Sequence, residues 1–236
     1  MKANVLFSFQ NLDELYFSEK TVVIVDILRS TSTIVYALNN GAKEVIPVAT
    51  MEFARKIAGG HNILAGERNS KKLDGFELGN SPVEFVPEIV EGMSIIFLST
   101  NGSKAIVKAK FAENLLISTF LNLLATSKKL LEIGKDFEIL CAGNSGFFCM
   151  EDTIFAGKLI REIQKINPEL ELTDSAKTSI ILSDVYGDDI YQMLTETEHG
   201  KELVNLGLES DFEIISRVNS IDIVPIYESG SIKVLK

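Results

Sequence analysis

Short, apolar, β-branched runs alternate along this chain with stretches whose apolar positions recur at helical spacing. Residues 4–9 read as a strand. Residues 21–26 (TVVIVD) form a continuous apolar run, which suits a strand buried on both faces. Residues 30–38 follow as a helix, stopped at Asn39-Asn40-Gly41. The order then repeats, with strand 44–48 before helix 52–58 and strand 61–67 before a long polar stretch, 68–82. Strand 94–99 precedes helix 103–110, and strand 114–118 precedes helix 120–133 with Gly134 as its stop. Strand 137–142 precedes helix 151–166, which ends at Asn167-Pro168. Beyond Pro168 three helical segments (175–185, 189–195 and 198–206) lead to two late strands near 221–225 and 231–235. This alternation predicts an α/β fold, layered α/β/α around a central sheet, and the late strands make that sheet mixed. No Pro/Gly/Ser-rich linker divides the chain. Residues 1–236 are therefore expected to form one domain, or two intimately packed lobes.

Three times an apolar strand runs into a small, polar loop and then a helix: VVIVD-ILRSTSTI, SIIFL-STNGSKAI and EILC-AGNSGFFCMED. Ligands of open α/β sheets bind outside the carboxyl ends of strands. Three such loops, rich in Ser, Thr, Asn and Gly, are expected to converge at one edge. Each enters a helix N-terminus, where free N–H groups favour anions.

Charge sharpens this picture. The 236 residues carry 33 acidic and 23 basic side chains, a net charge of −10. A nucleic-acid partner is disfavoured, because phosphate backbones need a basic face. A small anionic substrate must instead find its own local cations. The arginines are Arg29, Arg55, Arg68, Arg161 and Arg217, and two of them, Arg29 and Arg68, sit at strand ends. No apolar run is long enough to span a bilayer, and no leader-like segment opens the chain. Cys141 and Cys149 do not make a disulfide framework and read as buried apolar residues. A soluble protein of a reducing compartment, the cytoplasm, with no membrane partner, is expected.

Four segments could carry chemistry. In the first, Asp26 closes a buried strand and Arg29, Ser30 and Thr31 open a helix, as a metal carboxylate beside a phosphate cradle would; a helix cap and a loop-satisfying acid explain the same residues. Glu67 and Arg68 end another strand, before a loop holding Gly75, Gly79, Asn80 and Ser81. A surface ion pair and a mobile loop are the competing reading. Thr100, Asn101 and Gly102 suit close backbone approach to an oxyanion, or an ordinary turn. Asn144 precedes Glu151 and Asp152, which could bind a cation, activate water or simply complement a helix dipole. Common phosphate chemistries are excluded. Phe147 stands where a cysteine phosphatase loop from Cys141 would need Arg. Leu28 stands where a haloacid-dehalogenase motif from Asp26 would need Asp. Neither a Walker A sequence nor zinc-type His/Cys spacing occurs.

Taken together, VDILRSTSTIVYAL, AGERNSKKLDGFELGNSPVEF, FLSTNGSKAI and CAGNSGFFCMEDTIFAG closely resemble the 2-phosphosulfolactate phosphatase (ComB) family, in order and spacing from about residue 20 to 160. The resemblance continues more weakly to Asp222-Ile223-Val224-Pro225. It implies an uncommon α/β topology and an Mg²⁺-dependent phosphatase that releases phosphate from 2-phospho-3-sulfolactate, a step in making coenzyme M. On that reading Arg29 and Arg68 bind the phosphate or sulfonate. Ser30, Thr31, Asn80, Ser81, Thr100, Asn101, Gly102 and Asn144 contact the substrate. Asp26, Glu67 and Asp152 hold the metal, with Asp26 and Glu151 also candidates for the chemistry itself. A protein that binds a small anion without turning it over is the alternative. Oligomeric state stays open between monomer and homodimer.

Overall fold

Eleven short strands form one mixed sheet in the computed structural model, which describes residues 1–234. In chain order they are β1 (Lys2–Leu6), β2 (Thr21–Val25), β3 (Glu44–Val48), β4 (Asn62–Arg68), β5 (Lys71–Lys72), β6 (Ser94–Leu98), β7 (Asn114–Ser118), β8 (Phe137–Cys141), β9 (Glu171–Leu172), β10 (Ile226–Glu228) and β11 (Ser231–Lys233). Across the sheet the order is β5-β4-β6-β3-β11-β10-β7-β2-β8-β1-β9. Two parallel sets result. In one, β6 lies between β4 and β3; in the other, β2 lies between β7 and β8, with β1 and β9 beyond. Every residue of β2, β6 and β8 is buried, as continuous apolar runs require.

The β10–β11 hairpin joins the two sets through single antiparallel pairs, Ile232 with Val45 and Ile226 with Leu116. Three successive antiparallel pairings set the two halves in opposite senses along the sheet. Strand twist of about 20–25° per step accumulates between β6 and β2 and turns one half back toward the other. The result wraps around two helices, α1 (Ser30–Asn39) and a later one (Gly102–Lys108), both of which touch each half. One core cluster records this: Ile34, Val35 and Leu38 of α1 pack with Val22 and Ile24 of β2 and with Ile95 and Phe97 of β6. Ser30, Thr31, Ser32 and Thr33 are all buried, and their small side chains allow this close packing.

The other helices, in order, are α2 (Met51–Ile57), α3 (Pro87–Val90), α4 (the Gly102–Lys108 helix above), α5 (Leu123–Ile133), α6 (Met150–Gln164), α7 (Asp174–Tyr186), α8 (Ile190–Glu196), α9 (Glu198–Asn205) and α10 (Ser210–Ile215). α2 covers the outer face of β3 and β6, whereas α5, α6 and α7 cover the outer face of the second half. Thr197 caps α9 by accepting a hydrogen bond from Gly200 N at 3.1 Å.

The expected class and mixed sheet are present, with differences of detail. The strand expected at 221–225 is displaced to Ile226–Glu228. Pro225 has no N–H to give a ladder, and its carbonyl accepts from Ile117 N at 2.9 Å instead. The Ser229-Gly230 turn then sets the hairpin. Leu235, expected in the last strand, lies outside the described residues. Residues 120–122 form a 3₁₀ turn, with Thr119 and Asn122 in a capping box, before α5 begins. Strands β5 and β9 and helices α3 and α10 were not expected. Each is short, and α10 matters because it carries Asp211.

Candidate active site

The turns after β2, β6 and β8 meet at the end of β4 around a cavity of about 220 Å³. Three contacts fasten them. Ser30 Oγ and Ser99 Oγ share a hydrogen bond at 2.9 Å, Ser145 N donates to Asn101 Oδ1 at 3.2 Å, and Asp152 links the turns after β2 and β8. Gly102 has to be glycine here, since a Cβ would lie 2.5 Å from Asp26 Oδ2 and from Ser30 Cβ. Gly66 likewise lets β4 approach β6, because a Cβ would lie 2.0 Å from the Leu98 carbonyl oxygen. The convergence expected from the repeated strand–loop–helix pattern is therefore present. Its cause is wrapping of an antiparallel-joined sheet, not a single strand direction.

Asp26 closes β2 and turns back on α1. Its Oδ2 accepts from Ser30 Oγ at 2.8 Å and its Oδ1 from Ser30 N at 3.4 Å. Its carbonyl accepts from Thr31 N at 3.0 Å. The first N–H groups of α1, expected to cradle a foreign anion, are thus engaged by Asp26. Burial pushes its carboxyl above the usual range and Glu67 adds to the rise, while the Ser30 bonds and His199 oppose it. Glu67 accepts from Thr100 N at 2.6 Å, Thr100 Oγ1 at 3.0 Å and Ser70 N at 2.9 Å.

Arg29 is 3 % exposed and follows a cis Leu28–Arg29 peptide. Its Nη1 donates to Asp211 Oδ2 at 2.8 Å and its Nη2 to the Ser70 carbonyl at 3.1 Å. Asp211 is fully buried, and Ser81 Oγ donates to its other oxygen. Burial raises the Asp211 carboxyl, and the Arg29 and Ser81 bonds offset part of that rise. Further guanidinium N–H groups of Arg29 stay free for a ligand.

Of the residues singled out by sequence, Asp26, Arg29, Ser30, Glu67, Asn80, Thr100, Asn101 and Asn144 line this cavity. Asn80 Oδ1 is buried there with no hydrogen-bond partner. Six residues lie elsewhere. Thr31 Oγ1 is taken up by the Asp26 backbone, Ser81 serves Asp211, and Gly102 packs behind Asp26. Asp152 accepts from Ile27 N at 2.8 Å and Gly143 N at 3.3 Å, so it braces two loops. Burial, then Asp26 and Glu151, raise its carboxyl well above the ordinary value. Glu151 is buried behind His199. Arg68 is exposed and borders a neighbouring groove with Lys71 and Lys201, because strand alternation sends it to the opposite face from Glu67.

Sequence reasoning did not find Ser70, Ser145, His199, Glu202 or Asp211. His199 and Glu202 come from α9 and close the cavity beside Ser70. Arg29 is the only Arg or Lys lining it among the described residues, against the carboxylates Asp26, Glu67 and Glu202. That excess of oxygen donors and negative charge fits a hard cation such as Mg²⁺, which takes one or two carboxylates and completes its shell with water and substrate oxygens. Among the described residues, no three His, Cys, Asp or Glu side chains group into a ready-made cage. Asp26 and Glu67 are the carboxylates best placed to serve.

Comparisons with known proteins bear on the family of the chain. A family profile described as 2-phosphosulpholactate phosphatase matches residues 8–230. A protein of Clostridium beijerinckii named probable 2-phosphosulfolactate phosphatase is 38% identical over 98% of this chain and 99% of its own length. One of the same name from Caldanaerobacter subterraneus subsp. tengcongensis is 37% identical over 96% of this chain and 95% of its own. One from Clostridium novyi is 39% identical over 95% and 96%.

Proposed function

The chain belongs to the 2-phosphosulpholactate phosphatase family and is a phosphoric monoester hydrolase, and from that premise we propose that its cavity hydrolyses 2-phospho-3-sulfolactate, or a closely related phosphorylated hydroxy acid, with Mg²⁺. The observation that carries the reading is the pairing of a buried, oriented guanidinium with two buried carboxylates in one small polar space. The volume is below the ~300–1,000 Å³ usual for drug-sized ligands and suits a small polyanion.

Arg29 binds the phosphoryl oxygens through the N–H groups that Asp211 and Ser70 leave free, and its burial keeps that charge unscreened. Asp26 and Glu67 hold the Mg²⁺, which when bound offsets phosphate charge and acidifies water. Ser30 fixes Asp26 and Thr100 fixes Glu67, so both carboxylates are oriented before substrate arrives. Asn80, Asn101 and Asn144 supply neutral hydrogen bonds to the carboxylate or sulfonate end. All of these residues come from one chain, so the proposal needs no second copy. No helix among the described residues is long and apolar enough to cross a membrane. A place in coenzyme M synthesis belongs to the same proposal and stands or falls with the preferred substrate.

The test is phosphate release from 2-phospho-3-sulfolactate by the purified protein, measured before and after removal of divalent cations. Release that stops in chelator and returns with Mg²⁺ is expected; undiminished release in chelator refutes the metal assignment. A screen of small phosphorylated hydroxy acids by kcat/KM then fixes the substrate.

A further inference from the structure

We propose that His199 protonates the departing oxygen of the substrate and that Glu151 positions it for this. The inference rests on the phosphatase reading of the same cavity.

The two ring nitrogens of His199 face different surroundings. Nδ1 lies 3.9 Å from Glu151 Oε1, an ion-pair separation. Nε2 lies 3.4 Å from Ser70 Oγ, at the cavity wall. Glu151 is 2 % exposed, and its Oε1 has no hydrogen-bond partner, unlike both oxygens of the adjacent Asp152. A buried carboxylate oxygen without a partner is costly unless a cation answers it. His199 is the one basic side chain within 4 Å of the Glu151 carboxylate among the described residues. The pair fixes Nδ1 toward Glu151 and turns Nε2 to Ser70 Oγ on the cavity wall, where a ligand can meet it. α9 is held in place at its start by the Thr197 cap, two residues before His199.

The chemistry requires such a group. The ester oxygen of a hydroxy acid leaves poorly as an alkoxide, and an imidazolium is the side-chain acid suited to protonating it near neutral pH. The P–O bond to the hydroxy acid breaks, its electron pair stays on that oxygen, and the Nε2 proton moves onto it. The water whose oxygen forms the new bond to phosphorus yields the proton that restores the imidazolium. Other groups at the wall are committed. Arg29 does not release a proton. The hydroxyls of Ser30 and Thr100 already donate to Asp26 and Glu67. No residue assigned to substrate or metal above fills this role.

Leaving-group dependence tests the proposal. His199→Ala, His199→Gln and Glu151→Gln are assayed on 2-phospho-3-sulfolactate and on p-nitrophenyl phosphate, whose phenolate departs without a proton. Both His199 variants should lose about 10²- to 10⁴-fold in kcat on the first substrate and little on the second. Glu151→Gln should show the same selectivity to a smaller degree. A misfolded variant loses both activities together, and the glutamine variants keep the volume and polarity of the site. Equal losses on the two substrates, or no loss on either, would overturn the assignment. Wild-type protein that releases phosphate from neither substrate would instead refute the phosphatase reading beneath it.

Discussion

The cavity has two walls of different construction. The end of β4 and the turns after β2, β6 and β8 form one wall, where Asp26 and Glu67 are held by groups close by: Ser30 four residues on from Asp26, and Ser70 three residues on from Glu67, joined by Thr100 from the adjoining strand end. The helical wall is α9, with α10 behind it holding Arg29 through Asp211, and its contacts span the chain. Arg29 reaches Asp211, Ser70 reaches His199 and Glu202, and Glu151 meets His199. The strand-edge wall places charge by short-range backbone geometry. The helical wall places it by a few long-range pairs. Substitutions in the first should damage chemistry with little loss of fold; breaking the buried Arg29–Asp211 pair of the second should damage both.

The largest expected effect tests the first half of that contrast. Asp26→Asn should lower kcat by at least about 10³-fold while raising thermal stability at neutral pH. The wild-type carboxyl is raised above its ordinary value of about 3.9 in the folded state. A raised acid stabilises the fold below its unfolded value, and that contribution is lost as pH climbs through the folded value. From about pH 4 upward, until the folded carboxyl has ionised, the stability gap in favour of Asp26→Asn should therefore widen. Adding Mg²⁺ should narrow it, by stabilising only the wild type. Melting curves across pH, with and without Mg²⁺, measure this directly. A variant less stable than wild type at pH 7 contradicts the account.

Asp211→Ala probes the second wall. It strands a buried guanidinium, and breaking a buried ion pair from one side costs about 3–5 kcal/mol. Denaturant unfolding should show that loss, together with a raised KM as Arg29 loses its orientation. Unchanged stability would mean that Arg29 finds another partner. Asn101→Ala and Asn144→Ala come next. If both grip one bound anion, each lowers kcat/KM by about 10-fold or more, and the double variant loses less than the product. A full product would show that the two loops act on separate groups.

The same contrast explains what could be read from the chain. The loops after β2, β6 and β8 were legible because an apolar run, a cluster of small polar residues and a helix start are adjacent in sequence. Glu198–Asn205 (EHGKELVN) gave no such signal, since polar residues at helical spacing describe a solvated face equally well. His199 and Glu202 enter the site only because α9 folds over Ser70. Asp211 sits in a short helix that periodicity is too brief to reveal. Thr31 and Ser30 have the same chemistry and differ only in direction, which the sequence does not encode. Glu67 and Arg68 were expected together in the site, yet neighbours in a strand face opposite sides, so both could not line one cavity.

That parity yields the smallest effect and the sharpest comparison between arginines. Arg29 is buried, paired and aimed at the cavity, whereas Arg68 is exposed at the end of β4 in an adjoining groove shared with Lys71 and Lys201. Arg29→Lys replaces a planar, multi-donor group with one ammonium that cannot serve Asp211, Ser70 and phosphate together. It should reduce kcat markedly, because the lost contact tightens as charge develops on the transferring group. Arg68→Lys keeps a mobile positive charge in solvent, where exposed pairs contribute only about 0–1 kcal/mol. It should leave kcat unchanged. Arg68→Ala should raise KM a little by removing one cation from the approach to a protein of net charge −10. That increment should disappear at about 1 M salt, where the screening length falls to about 3 Å. Steady-state kinetics at low and high salt separate the two arginines. A salt-independent fall in kcat with Arg68→Lys would place Arg68 against the substrate and require the end of β4 to rotate when substrate binds.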